Sequence, residues 1–207
     1  RHREIRQYIL NKAPKYGTEE ESRIGVSRAL IRFLYDTYQS YTNYRGGPYR
    51  PAYWTMTNHS GHGKLTRALP SGRLSAKTFA SGITPVSGAA DSLTETLNTV
   101  ATLGGVHIPG SVALNIKFTE IRNTEDIRRL GDFVEGYFRQ GGQQVQFNII
   151  SRAMFKEAQR TPEEYRDLLV RVSGYSAYFN DLNPAMQEEL ITRSEYDIEN
   201  GKAVNND

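Results

Sequence analysis

RVSGYSAYF, residues 171–179, sets one glycine, Gly174, inside a run that otherwise reads as a buried strand. Glycine in a strand costs backbone entropy and offers nothing to pack, so it marks a turn, a bulge or a close approach by another group. The segment enters through LLVRV, residues 168–172, and leaves through the aromatic run YSAYF, residues 175–179, which makes Gly174 the tip of a loop between packed elements. A Ser-Gly pair taken alone is most often a tight turn. One chemistry specifically wants a residue without a side chain at such a tip. A glycine Cα that loses a hydrogen atom becomes a planar radical shared between the adjoining amide nitrogen and carbonyl, and a Cβ would hinder that planarity. Val172, Tyr175, Tyr178 and Phe179 are the apolar residues available to cover it from solvent and oxygen.

Composition narrows the setting. The chain has 207 residues, 38% of them hydrophobic, enough for one large domain or two small ones with a real core. Its 26 basic and 23 acidic residues are mixed along the sequence, so the net charge of +3 does not form the clustered basic face that nucleic acid requires. No apolar run is long enough to span a bilayer and no leader pattern opens the sequence, which reads as cytoplasmic and free of membrane. Cysteine is absent, which removes disulfides, thiolate nucleophiles and cysteine metal sites from the chemistry of these residues alone.

Working outward from the tip, AMQEELITR, residues 185–193, follows the cap and proline pair Asn183-Pro184 and reads as a helix. Upstream, Thr161-Pro162-Glu163-Glu164 has the form of a capping box that opens a short helix. GGQQVQFNII, residues 141–150, has period two, with Val145, Phe147 and Ile149 on one face and a polar face of Gln144, Gln146 and Asn148 that wants partners. NTEDIRRLGDFVEGYF, residues 123–138, carries Ile127, Leu130, Val134 and Tyr137 at helical spacing, and SVALNIKF, residues 111–118, alternates as a strand. Alternating strands and helices predict an α/β layout. The first forty residues predict two helices, a short one marked by Ile5, Tyr8 and Ile9 and a long one across 20–41 with Ile24, Ile31, Leu34 and Tyr38 on one face. From Tyr44 to Gly110, Gly, Pro, Ser and Thr dominate, which predicts long irregular structure with brief strands.

RVSGYSAYFNDL followed by MQEELITRSEY, residues 186–196, resembles the C-terminal signature of the glycyl radical enzymes, the superfamily typified by pyruvate formate-lyase. Residues 141–179 resemble the run that leads to the radical loop. RPAYWTMTNHSGHGKLTRALPSGR, residues 50–73, and FASGITPVSG, residues 79–88, resemble an upstream stretch of the same catalytic domain. The resemblance implies the C-terminal part of a ten-stranded α/β barrel that ends in a glycyl radical loop and a C-terminal helix. Residues 1–110 would be helices and loops of the catalytic barrel, and residues 111–207 the last barrel strands and the glycyl radical domain.

The resemblance also assigns roles. Gly174 matches the radical residue, and Arg171, Ser173, Tyr175 and Ser176 match the surrounding motif, as candidates for recognition by an activating enzyme or for packing of the loop. That activating enzyme is an iron-sulfur protein using S-adenosylmethionine, and the chain itself would bind no cofactor. The family stores the radical on glycine and passes it to a cysteine, so a cysteine-bearing segment or subunit is an implied partner, along with a small organic substrate and assembly into an oligomer. Trp54, Asn58, His59 and Arg73 are candidate cavity residues. His59 and His62 are spaced like metal ligands but suggest no third, and no metal is expected. The implied reaction is that of a lyase, dehydratase, decarboxylase or fumarate-adding succinate synthase, the last branch resembling WTMTNHSGHG and FASGITPVSG most. A formate acetyltransferase and a repair subunit that replaces a damaged glycyl segment are the alternatives.

Overall fold

The computed structural model describes residues 1–103 and 105–204, with the side chains of 22–24 outside that set. Three helices open the chain, α1 (His2–Lys12), α2 (Glu19–Ile24) and α3 (Val26–Gln39). After a long stretch of loops come α4 (Asn58–Leu65) and α5 (Leu93–Ala101), then β1 (Asn115–Phe118), α6 (Thr124–Arg139), β2 (Gln146–Ile149) and α7 (Arg152–Arg160). The chain closes with β3 (Leu169–Arg171), β4 (Ser176–Tyr178), α8 (Pro184–Thr192) and β5 (Glu195–Tyr196).

β1 lies between β2 and β5 in a parallel sheet, with Asn115 opposite Gln146 and Lys117 opposite Glu195. All four residues of β1 are buried, as expected of a central parallel strand covered on both faces. The larger core gathers around it, with Leu93, Leu97 and Val100 of α5, Leu114, Ile116 and Phe118, and Tyr137 of α6. Ile127, expected on the packed face of α6, is exposed, and the inward face runs instead through Leu130, Phe133 and Tyr137. A second core of Phe155, Ala158, Val170, Val172, Phe179, Met186, Leu190 and Ile191 joins α7 and α8 to the antiparallel pair β3–β4. Each of its larger side chains, Ala158 apart, contributes roughly 1.5–3 kcal/mol by leaving water.

Lys117 ties the two cores together. Its ammonium is buried, donates to the Leu190 and Ile191 carbonyls at the end of α8, and stands 3.2 Å from Glu195. Burial lowers its pKa, against the opposing pull of Glu195. A cation on the last carbonyls of a helix satisfies groups that have no partner within the helix and favours the dipole.

Several expectations change. The long helix expected over 20–41 is two, because Gly25 adopts a left-handed φ of +74° and ends α2 before α3 begins. Ile24, expected on its buried face, has a side chain outside the described residues. The stretch from Tyr44 to Gly110 is not wholly irregular, since it holds α4 and α5. α5 starts at a cap the composition hides: the Ser92 side chain accepts from the Glu95 amide, and Glu95 Oε2 accepts in return from the Asp91 amide. The capping box at Thr161 does not form. α7 runs on to Arg160, and the Thr161 hydroxyl is spent on the Glu157 carbonyl at 3.2 Å, which leaves only a short 3-10 turn at Pro162–Tyr165. Asn183 caps α8 as expected, accepting from the Met186 amide. Among the described residues, no helix is long and apolar enough to cross a membrane.

Candidate functional site

β3 and β4 pair from Leu169↔Tyr178 to Arg171↔Ser176, and Val172 N donates to Tyr175 O at 2.9 Å, which leaves Ser173 and Gly174 as a two-residue turn. Gly174 has φ +79°, whereas Ser173 is not among the residues of positive φ, the sign pattern of a type II turn with glycine at its second position. An ideal Cβ on Gly174 would stand 2.6 Å from Trp54 Nε1 and 2.9 Å from Cε2, so a side chain is disfavoured twice, by backbone and by space. Val172, Ser173 and Phe179 are fully buried, but Gly174 itself is exposed. Of the four residues expected to cover the tip, Val172 and Phe179 pack downward into the second core and Tyr178 is exposed, while Tyr175 lies half-buried against the core. Burial pushes the Tyr175 phenol up.

The polar face of β2 supplies the partners of this hairpin. Asn148 and Arg171 exchange two bonds, Arg171 N to Asn148 Oδ1 at 2.8 Å and Asn148 Nδ2 to Arg171 O at 2.7 Å. Gln146 Oε1 accepts from Gly174 N at 3.1 Å and from Arg171 Nε at 3.0 Å. The Arg171 guanidinium thus folds back over the turn, and it also reaches Ser176 Oγ at 3.1 Å and Gly174 O at 3.4 Å.

Two further segments grip the same backbone. Trp54 Nε1 donates to Ser173 O at 2.7 Å. Trp54 is brought there because Tyr53 pairs with the segment just before β1, with Tyr53 N bonded to Ser111 O and Ala113 N to Tyr53 O. From α8, Arg193 Nη2 donates to Val172 O at 2.7 Å while its Nε and Nη2 hold both oxygens of Glu189 at 2.9 and 2.8 Å. His59 of α4 stands behind Glu189, Nε2 to Oε2 at 3.7 Å, an ion-pair distance rather than a hydrogen bond, with its Nδ1 3.2 Å from Thr55 Oγ1. Burial alone would raise the Glu189 carboxyl, but Arg193 and His59 outweigh it and hold it below the ordinary carboxylate range.

Gln146 is itself anchored. Its Nε2 donates to Asn115 Oδ1, and Asn115 Nδ2 donates in turn to Ser81 Oγ and Thr84 Oγ1, each at 3.2 Å. The stretch 79–88 therefore connects to the glycine through a line of buried amides.

The fold thus brings together Gly174, Arg171, Ser173, Tyr175, Ser176 and Trp54, with His59 one step behind. Asn58 and Arg73 are placed elsewhere. Asn58 is exposed at the start of α4, and the Arg73 guanidinium closes the end of that helix on the carbonyls of Gly63, Thr66, Arg67 and Lys77. His62 faces solvent while His59 faces inward, so the two imidazoles do not converge, and among the described residues no group of three His, Asp or Glu is placed to hold a metal ion. Gln146, Asn148, Glu189, Arg193 and Asn115 join the site only in the folded chain. The alternation of β2 was the available signal for the first two.

The glycine radical family matches residues 79–180, and the pyruvate formate lyase-like family matches residues 1–63. The indoleacetate decarboxylase of Tractidigestivibacter scatoligenes is 37% identical over 94% of this chain and 22% of its own length. The trans-4-hydroxy-L-proline dehydratase of Clostridioides difficile is 31% identical over 92% of this chain and 24% of its own length. The glycerol-bound B12-independent glycerol dehydratase of Clostridium butyricum superposes with a TM-score of 0.87 at 32% identity, over 93% of this chain and 25% of that one. The chain spans about a quarter of the length of the relatives it matches. The three-stranded sheet and hairpin are a C-terminal portion of their barrel fold.

Proposed function

The chain belongs to the glycyl radical enzymes, and from that premise we propose that it carries such an enzyme's radical on the Cα of Gly174. The observation that supports this most is the tip itself. A Cα without a side chain, with the Trp54 indole on one side of it, stands at the end of a hairpin whose backbone, from residue 171 to 174, is held by Asn148, Arg193, Trp54 and Gln146 from outside it. The stem is fixed within these residues, and the tip is left for a segment outside them to meet.

Activation removes one hydrogen atom, proton and electron together, from Gly174 Cα. That atom goes to a carbon radical which an activating enzyme generates from S-adenosylmethionine. In turnover the glycyl radical takes a hydrogen atom from a cysteine S–H, and the resulting thiyl attacks a small organic substrate. The 207 residues contain no cysteine, so the thiol comes from another segment or another chain. Arg171 and Ser176, which meet across the turn, form the edge an activating enzyme would approach first. The named activities of the relatives, one decarboxylase and two dehydratases, favour a lyase-type reaction over acyl transfer.

Oxygen adds to a carbon radical and cleaves the backbone at that residue. After anaerobic activation and exposure to air, mass spectrometry is expected to show a break at Ser173–Gly174 and a C-terminal piece that begins near Tyr175, with unactivated protein intact. Proteolysis would instead favour exposed loop tips. An intact Ser173–Gly174 bond in a sample whose radical has been counted by electron paramagnetic resonance would remove Gly174 as the radical residue.

A further inference from the structure

The Ser173–Gly174 peptide unit is held at both ends, Ser173 O by Trp54 Nε1 at 2.7 Å and Gly174 N by Gln146 Oε1 at 3.1 Å. The next peptide unit, Gly174–Tyr175, is held less closely. Its carbonyl accepts one bond from Arg171 Nη2 at 3.4 Å, and Gly174 and Ser176 beside it are exposed. The grip on the first unit is stiff. Gln146 is buried and fixed by Asn115 and Arg171, and Asn115 is fixed in turn by Ser81 and Thr84.

This asymmetry bears on how a radical at Gly174 is shaped. A tetrahedral Cα at φ +79° has to flatten, and its singly occupied orbital must overlap the amide nitrogen on one side and the carbonyl on the other. Both peptide planes then come into line with the Cα. We propose that Gln146 and Trp54 are positioning residues that fix the Ser173–Gly174 plane, so that flattening occurs by rotation of the Gly174–Tyr175 unit alone. The inference rests on the reading of Gly174 as the radical residue. Gln146 has a second effect, because an acceptor on the Gly174 N–H leaves more electron density on that nitrogen and strengthens its share of the spin. Trp54 adds cover, since its indole occupies the space a side chain on Gly174 would take.

The test uses the complete enzyme with its activating partner under anaerobic conditions, and compares wild type with Gln146→Leu, Gln146→Glu and Trp54→Phe. The readouts are spin count, the Cα-proton splitting of the radical spectrum, and the half-life of the radical. Gln146→Leu is expected to enlarge the splitting, because spin returns to carbon, and to shorten the half-life about five-fold, the worth of one hydrogen bond. Gln146→Glu keeps the acceptor for Gly174 N but loses the Nε2 donation to Asn115 Oδ1, and is expected to restore the wild-type splitting without the full wild-type half-life. Trp54→Phe keeps a ring over the glycine but frees Ser173 O, and is expected to broaden the spectrum as the plane rocks. A variant that merely loosened the fold would lower the spin count without changing the splitting. Wild-type splitting and half-life in both Gln146→Leu and Trp54→Phe would overturn the proposal. Where Gln146→Leu carries too little spin to resolve, Trp54→Phe decides by the same readouts. A wild type that activates without any glycyl doublet defeats the radical reading itself, and the inference with it.

Discussion

At Gly174 two demands coincide, for the turn needs a positive φ and Trp54 leaves no room for a Cβ. Replacement by alanine therefore does more than remove the radical site, because it also strains the turn, and a variant lacking signal has to be checked for the hairpin's integrity. The buried pair Glu189–Arg193 shows what sequence hides. Carboxylate and guanidinium four apart at a helix end look like an exposed surface pair worth a few tenths of a kcal/mol, yet here both are buried and Arg193 also holds Val172 O. Gly174 and its flanks were legible because the motif is contiguous, whereas the residues that hold them come from distant segments. The depressed Glu189 carboxyl gives a signed prediction. Its contribution to stability is complete above the ordinary carboxylate pKa of 4.5 and is lost as pH falls below that value through the folded-state pKa. Acid unfolding of the wild type should therefore steepen below that value, and Glu189→Gln should flatten the curve while lowering stability at neutral pH. Removing one partner of a buried pair costs about 3–5 kcal/mol. Parallel acid titrations of the two proteins by circular dichroism would check this, and curves of identical shape would refute it.

Among the elements, β1, α6, β2 and α8 could be read from period and caps, since each carries its own signal within a few residues. α4 and α5 could not, because NHSGHGKL has no amphipathic stripe and the cap of α5 sits inside a Gly- and Ser-rich stretch. The two cap motifs near the hairpin look alike in sequence and differ in use. The Asn183 side chain accepts from the Met186 amide, while Thr161 makes no side-chain cap. Asn183→Ala is therefore expected to cost about 1 kcal/mol, and Thr161→Ala only a few tenths, because the bond it loses is a back-bond to the preceding turn. Urea denaturation of the two variants decides between this and the equal losses that a formed capping box at both sites would give.

For the whole molecule, the least legible property was what the exposed apolar faces are for. Val26, Leu30 and Phe33 follow one another at helical spacing along α3, and all are more than half exposed. A stripe of this kind is poorly tolerated in water, and the remaining three quarters of a full-length relative offer surface to cover it. The chain on its own is expected to self-associate at micromolar concentration, and Leu30→Lys with Phe33→Glu to suppress that. Light scattering would measure both, and a monodisperse wild-type monomer would contradict the expectation. The grips on the hairpin come from partners 119, 28 and 21 residues away. Of these, only the Trp54 bond closes a longer stretch of chain than the parallel pairings Asn115↔Gln146 and Lys117↔Glu195. The hairpin can detach by a sub-global opening that breaks these hydrogen bonds and uncovers Val170 and Val172 while leaving the larger core intact. Native-state hydrogen exchange would register such an opening as a cooperative unit spanning residues 169–178, below the free energy of global unfolding, and under the proposed radical role that hinge would carry Gly174 to an activating enzyme.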